Sequence, residues 1–319
     1  MIEKTKATVL RVPTPMAGLA LGIASLGWCW ENAAALQGYG QWLTASIASV
    51  LLIILAMKFL FHHHMLRQDL AHPVVGSVVP TFAMGLMVVS HSLRQFLAMA
   101  GDMLWLLAVI LHIVFLLSFF YHRVRDFSLH QMVPSWFVPP VGIIVADVSF
   151  AGNPVLEPIA HGTLIFGIIA YAIMLPIMIY RLMFNEEIPD VAKPTMAIMA
   201  APASLSLAGY LTVTATPSPV IVALLFGIAV LMTACIYVAF FKLLRLPFSP
   251  AYAAFTFPMV IGATALFKLA NWVKTQGLSD EYVQQIRSLA TFELIIATCV
   301  VLYVVCQYIN HLLYRRQGH

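Results

Sequence analysis

The sequence predicts an all-α integral membrane protein: ten transmembrane helices, paired as five helical hairpins in a quasi-fivefold arrangement, with an inner ring of kinked odd helices around a central pore. Three observations lead there. The chain is 61% hydrophobic and only 9% charged, whereas soluble domains run at about 45–50% apolar and about 25% charged. Ten apolar runs follow one another through short connections, each near the roughly 20 residues that cross a hydrocarbon core about 30 Å thick. Five prolines, Pro15, Pro80, Pro140, Pro202 and Pro258, recur at intervals of 65, 60, 62 and 56 residues, each early in an apolar run. Such a repeat sets five similar bent helices around one axis, and in a bilayer that is the geometry of a pore. Residues 1–319 are read as a single transmembrane channel or transporter domain, since no Ser-rich, Pro-rich or acidic linker leads to a soluble catalytic part.

The first span, 15–34, opens on Pro15 with Gly18 and Gly22. Lys4, Lys6 and Arg11 precede it and it ends at Ala33-Ala34-Ala35, a pattern that also fits a secretory signal; removing it would break the five-pair count, so a span is expected. The second, 42–61, contains neither Pro nor Gly. The third, 74–91, pairs Pro80 with Gly85, and the fourth, 101–121, has only Gly101 at its start. The fifth, 135–150, pairs Pro140 with Gly142; the sixth, 158–180, holds Gly162, Gly167 and Pro176 and is the exception among even spans. The seventh, 194–213, pairs Pro202 with Gly209, and the eighth, 219–244, has only Gly227 past its first residue. The ninth, 252–272, pairs Pro258 with Gly262, and the tenth, 288–313, has neither residue. A proline frees a backbone carbonyl, which in lipid needs a partner from protein or water. The odd helices are therefore expected inside, and the even ones, rich in Leu, Ile, Val and Phe, as a shell facing lipid or a second subunit. Glycines in the inner helices permit either close approach or a wider lumen, and both uses stay open.

Thirteen of the 17 Lys and Arg fall on one face: Lys4, Lys6, Arg11, Lys58, Arg67, Arg123, Arg125, Arg181, Lys193, Lys242, Arg245, Arg315 and Arg316. By the positive-inside rule both termini are cytoplasmic in a cell membrane, and the net charge of +4 reflects topology rather than nucleic-acid binding. The N-terminal ends of the odd helices then converge at the cytoplasmic entrance with about half a positive charge each, which draws anions. Asp102, Asp147, Glu157 and Asp280 fall near outer span ends, so no acidic ring selects cations. Cys29, Cys235, Cys299 and Cys306 lack Cys-x-x-Cys spacing and read as small buried hydrophobes. His62, His63 and His64, with His72, read as an interfacial basic patch rather than metal ligands; His112 and His161 lie at unmatched depths. Glu293, in the plain tenth helix, reads as a subunit contact or an outer-interface group. No Walker loop, nucleophile elbow, Rossmann fingerprint or zinc motif is present, so an enzyme, a metal centre or a cofactor is not expected.

Ala254-Phe255-Thr256-Phe257-Pro258-Met259-Val260, with Pro15-Met16-Ala17-Gly18 and the repeated hairpins, resembles the tellurite-resistance/dicarboxylate transporter family. That family includes bacterial TehA, plant guard-cell slow anion channels, yeast malate permeases and sulfite exporters. The resemblance implies that Phe257, just before Pro258, is the ninth-helix phenylalanine that plugs the pore, and that the protein is a homotrimer with one pore per protomer. From Phe257, helical spacing of 100° per residue brings Thr264 and Lys268 within about 20° of the same face. Lys268 is then either an anion-attracting cation at the outer mouth or a lysine that snorkels to the headgroups. The candidate pore-lining set is Pro15, Gly18, Gly22, Pro80, Gly85, Pro140, Gly142, Pro202, Gly209, Pro258, Gly262, Thr264 and Lys268, with Phe257 as gate. The expected function is passive conduction of small anions such as chloride or nitrate, with tellurite resistance as the family's bacterial label. The alternative is a proton-coupled C4-dicarboxylate (malate) permease or a sulfite exporter. Coupled transport usually needs titratable groups within the membrane, and the odd helices lack them at mid-depth.

Overall fold

A computed structural model of the chain describes residues 2–317, excluding the side chains of residues 2, 4, 5 and 314–317. Lys4, Arg315 and Arg316, counted above for orientation, therefore lie outside the described side chains. The described chain is helical and contains no strand. A short helix α1 (Ile2–Leu10) precedes α2 (Met16–Ala33) and α3 (Tyr39–Phe61), and α4 (His63–Ala71) leads into a third segment made of α5 (Val75–Val78) and α6 (Thr81–Arg94). Helix α7 (Ala98–Arg125) follows. The fifth segment, Pro134–Val148, alternates 3-10 turns with α8 (Val138–Val141) and α9 (Val145–Val148). After α10 (Glu157–Phe184), a 3-10 stretch Lys193–Ala200 runs into α11 (Ala201–Val213). Then come α12 (Pro219–Leu243), a second such stretch, Pro250–Phe255, joined to α13 (Thr256–Thr275), and finally α14 (Asp280–Gln317).

Eight helices among the described residues are long and apolar enough to cross a membrane, and Met16–Ala33 and Pro134–Val148 are shorter apolar segments. Burial divides them. Val75–Arg94, Lys193–Val213 and Pro250–Thr275 bury 72%, 78% and 89% of their most apolar stretches, against 28% to 39% for Tyr39–Phe61, Ala98–Arg125, Glu157–Phe184, Pro219–Leu243 and Asp280–Leu313. Every residue of Pro134–Val148 is buried. The second group turns aliphatic side chains outward, such as Ile165, Ile169 and Ile173 on α10 and Val220, Leu224 and Val238 on α12. So much contiguous apolar surface suits lipid and not water. The inner segments touch in a closed cycle: α2 with α6, α6 with α9, α9 with α11, α11 with α13, and α13 with α2. Each outer helix packs on the inner segments beside it, as α3 does on α2 and α6, and α14 on α13 and α2.

The inner prolines sit where helices begin rather than at mid-helix bends. Pro15 and Pro80 cap α2 and α6, Pro202 and Pro258 lie in the first turns of α11 and α13, and Pro140 lies in the short α8. A first-turn position suits proline because the N–H it lacks has no intrahelical partner there. Irregular backbone in these segments leaves carbonyls to satisfy, and side chains from neighbouring helices supply donors. His112 Nε2 donates to Pro139 O at 2.8 Å, Trp105 Nε1 to Ala146 O at 3.0 Å, and Tyr308 Oη to Pro250 O at 2.5 Å. At the α2–α3 turn, Glu31 accepts the N–H groups of Gly38, Gly40 and Gln41 at 3.0, 3.0 and 3.3 Å, which satisfies the start of α3 and places an anion at its positive end. Gly38 there has φ 88°, a backbone state other residues rarely adopt.

Several expectations are corrected. Cys29 is buried, but Cys235, Cys299 and Cys306 are exposed on outer helices, because those helices are apolar on their lipid faces too. Glu293 points inward against α13 instead of outward. Asp147, near the end of its segment, is fully enclosed and receives the Thr163 hydroxyl at 3.2 Å.

Candidate functional site

A cavity of about 710 Å³ opens at the end where the inner segments begin, and all five border it. Its wall is mostly aliphatic. The residues farthest along each segment that border it are Leu21 on α2, Met84 on α6, Gly142 beside α8, Leu205 on α11, and Phe257 with Pro258 on α13. No lining residue among those described lies beyond this level. The cavity therefore stops part-way through the protein, with the Phe257 ring at its inner end and 7% exposed.

The local backbone explains why the wall converges there. Gly22 lets α2 approach α13 so closely that a Cβ would overlap Thr256, next to Phe257. Thr256 Oγ1 donates to Ala253 O at 2.7 Å and to Gly18 O at 3.2 Å, which ties the start of α13 to α2. Gly142 faces the Met84 sulfur in the same way, where a Cβ would come within 2.9 Å.

The mouth is polar and charged. Lys58 Nζ donates to Thr14 Oγ1 at 2.8 Å, Thr14 Oγ1 donates to Asp69 Oδ2 at 2.5 Å, and Lys58 Nζ lies 3.8 Å from the same carboxylate. His72 Nδ1 accepts the N–H groups of Val74 and Val75, both at 3.1 Å, so its other nitrogen carries the proton of the neutral ring. Arg11 and His311 also border the mouth. Asp69 balances Lys58, and Arg11 is the other Lys or Arg side chain among the lining residues described.

Of the residues singled out from sequence, Pro15, Gly18, Gly142, Pro202, Phe257 and Pro258 border the cavity. Pro80 lies between the lining residues Val78 and Thr81, and Pro140 is buried in α8. Gly22, Gly85, Gly209 and Gly262 face Thr256, Leu52, Ile144 and Glu293 respectively, each where a neighbouring element comes close. Thr264 donates to Val260 O at 3.0 Å, and Lys268 is half-buried farther along α13. Sequence reasoning missed Leu21, Met84, Val141 and Leu205, although Leu21 and Met84 stand one turn after Gly18 and Pro80 on the same helical faces. It also missed the Thr14–Lys58–Asp69 cluster, whose members are up to 55 residues apart and carry no local signal. Among the described residues, no three His, Cys, Asp or Glu side chains come together as a metal site would need.

Two uncharacterized transporters of Methanocaldococcus jannaschii are similar to this chain. One is 24% identical over 237 residues, covering 66% of this chain and 68% of the relative; the other is 25% identical over 223 residues, covering 60% and 62%. A family model described as a voltage-dependent anion channel, SLAC1, matches residues 12–309. The family resemblance read from the ninth-helix segment is borne out, and the family match with the transporter-named relatives indicates a membrane channel or transporter. By that match, across nearly the whole helical array, the chain belongs to the SLAC1 voltage-dependent anion channel family.

Proposed function

We propose that the protein is a passive channel for small inorganic anions such as chloride or nitrate, with one pore in each protomer and Phe257 as the gate. One observation carries this reading: an aliphatic cavity bordered by all five inner segments and ended by Phe257. The closed cycle of contacts supports a quasi-fivefold ring of five hairpins around one axis. In this reading Pro15, Gly18, Gly142, Pro202 and Pro258 line the vestibule, and Pro80 and Pro140 shape it. Gly22, Gly85, Gly209 and Gly262 draw the ring tight, while Thr264 and Lys268 continue the path beyond the gate. Arg11 and the helix starts at the mouth attract anions. An apolar path with no fixed ligand favours fast passage over tight capture, and a phenyl ring blocks it by bulk and by dewetting. The mouth faces the cytoplasm with both termini on that side of the cell membrane, and three protomers assemble as a homotrimer; tellurite resistance is the bacterial label that goes with this class.

The test is chloride flux and current in liposomes holding the purified protein. Phe257→Ala raises uncoupled chloride current at least about tenfold, since each 1.4 kcal/mol or so removed from a barrier is a factor of about ten in rate. Unchanged current in a folded variant removes Phe257 as gate.

A second reading, a proton-coupled C4-dicarboxylate permease or a sulfite exporter, draws support from Asp147 and Glu293. Both carboxyls are enclosed within apolar segments, and neither has a cation within ion-pair distance among the described residues. Buried carboxyls at such places commonly carry protons. Malate or sulfite movement driven by a pH gradient without steady current would favour it.

A further inference from the structure

Beyond the inner end of the cavity, α2, α6 and α13 continue to three polar residues, Ser25, His91 and Lys268, each with hydrogen-bonding capacity left over among the described residues. Ser25, one turn past Leu21 on α2, has a buried hydroxyl with no hydrogen-bond partner. His91 stands seven residues past Met84 on α6, as Trp28 stands seven past Leu21 on α2. Seven residues is 20° short of two full turns, so each keeps its face and lies about 10 Å farther along. The Trp28 and His91 rings stack, with centroids 4.2 Å apart and planes at 25°. That ties the two elements together at the level where the third contributes Lys268.

The His91 tautomer follows from its partner. Nδ1 lies 3.1 Å from Ser149 O, and a carbonyl only accepts, so Nδ1 carries the proton of the neutral ring. Nε2 is left as an acceptor with no hydrogen-bond partner among the described residues, and protonation turns it into a charged donor. Lys268 is the only residue between Phe255 and Ala270 on the buried course of the ninth segment that is not itself buried. No ion pair among the described residues includes it. Its charge reaches the His91 ring. The other charges near that ring are Arg94, one turn farther on α6, which also acts on it, and the Asp102 carboxylate on α7 that pairs with Arg94 at 2.7 Å. From α2 the ring meets Trp28, and from the end of α9 the Ser149 carbonyl.

We propose that His91 and Lys268 form a second anion site on the far side of Phe257, reached past the unpartnered Ser25 hydroxyl, suited to a halide or a small oxyanion and strengthened when His91 takes up a proton. The site rests on the reading of the axis as an anion path. Ser25 supplies a neutral donor just past the gate, and Lys268 supplies a fixed charge about 16 Å beyond Phe257 along α13. His91 supplies a charge that appears when the ring takes up a proton on acidification. An anion between Lys268 and protonated His91 relieves their mutual repulsion, so acid and anion reinforce each other.

The experiment measures chloride and nitrate flux in liposomes at pH 5.5 and 7.5, with Phe257→Ala as the open parent. Added to that parent, Lys268→Met lowers flux roughly tenfold, a loss of about 1.4 kcal/mol of stabilisation, and Lys268→Arg restores most of it. His91→Asn keeps a donor for Ser149 O; it removes the rise in flux at pH 5.5 while leaving the pH 7.5 value near that of the parent. Ser25→Ala lowers flux at both pH values. Lys268→Gln, made alongside, covers the case in which the methionine variant fails to fold. Parent-like flux in both Lys268 variants, with an unchanged pH profile in His91→Asn, overturns the site even where Phe257→Ala opens the path. A closed Phe257→Ala parent overturns instead the reading on which the site rests.

Discussion

His112 shows how a single side chain sustains irregular backbone inside a membrane protein. The fifth segment alternates short α and 3-10 turns around Pro139 and Pro140, and the Pro139 carbonyl takes its hydrogen bond from His112 Nε2 on α7. With no water to substitute, an orphaned carbonyl there costs about 1–3 kcal/mol. His112→Phe, similar in size but without a donor, is expected to lower stability by that order, measured as thermal unfolding in detergent; an unchanged transition would mean the carbonyl finds another partner. The sequence shows a histidine in an apolar run but not its role, because its partner lies 27 residues away. Glu293 was misplaced for a related reason. The direction in which a carboxylate leaves a uniformly apolar helix depends on the small residue opposite, here Gly262, and that pairing is visible only in three dimensions.

At the scale of the element, apolar run length and proline spacing carried most of the information. The expected second, sixth and eighth spans differ from Tyr39–Phe61, Glu157–Phe184 and Pro219–Leu243 by a few residues at either end. The tenth helix begins at Asp280 rather than 288, since its polar first turns carry no hydropathy signal although Asp280 and Glu281 favour a helix start. The short helices Ile2–Leu10 and His63–Ala71 escaped for the same reason. Glycine was legible as a packing residue but not as to where it packs. Gly22 faces Thr256, whereas Gly227 on α12 meets nothing within 4 Å. Gly22→Ala is therefore expected to destabilise the protein by about 1–3 kcal/mol through overpacking. Gly227→Ala is expected to be neutral or slightly stabilising, since alanine favours helix over glycine by up to about 1 kcal/mol. Equal melting temperatures for the two variants would refute the close α2–α13 contact.

At the scale of the whole molecule, the split between plain outer helices and interrupted inner ones matches the split in burial, 28% to 39% against 72% to 89%. It was legible because lipid favours keeping backbone irregularity where protein surrounds it, although Pro176, exposed inside the outer helix α10, departs from that rule. What sequence could not supply was depth. The cavity enters from one end and stops at the level of Leu21, Met84 and Phe257, which depends on how five segments of different lengths are staggered. The proposed path is single, continuous along the inner segments and interrupted at Phe257. Its most direct test is cysteine accessibility in a variant with Cys29, Cys235, Cys299 and Cys306 replaced, using a charged thiol reagent added from the cavity side. Met84→Cys should be labelled whether or not Phe257 is present, and Ser25→Cys should be labelled only when Phe257 is also changed to alanine. Ser25→Cys that stays unlabelled beside Phe257→Ala, while Met84→Cys reacts, would contradict the claim.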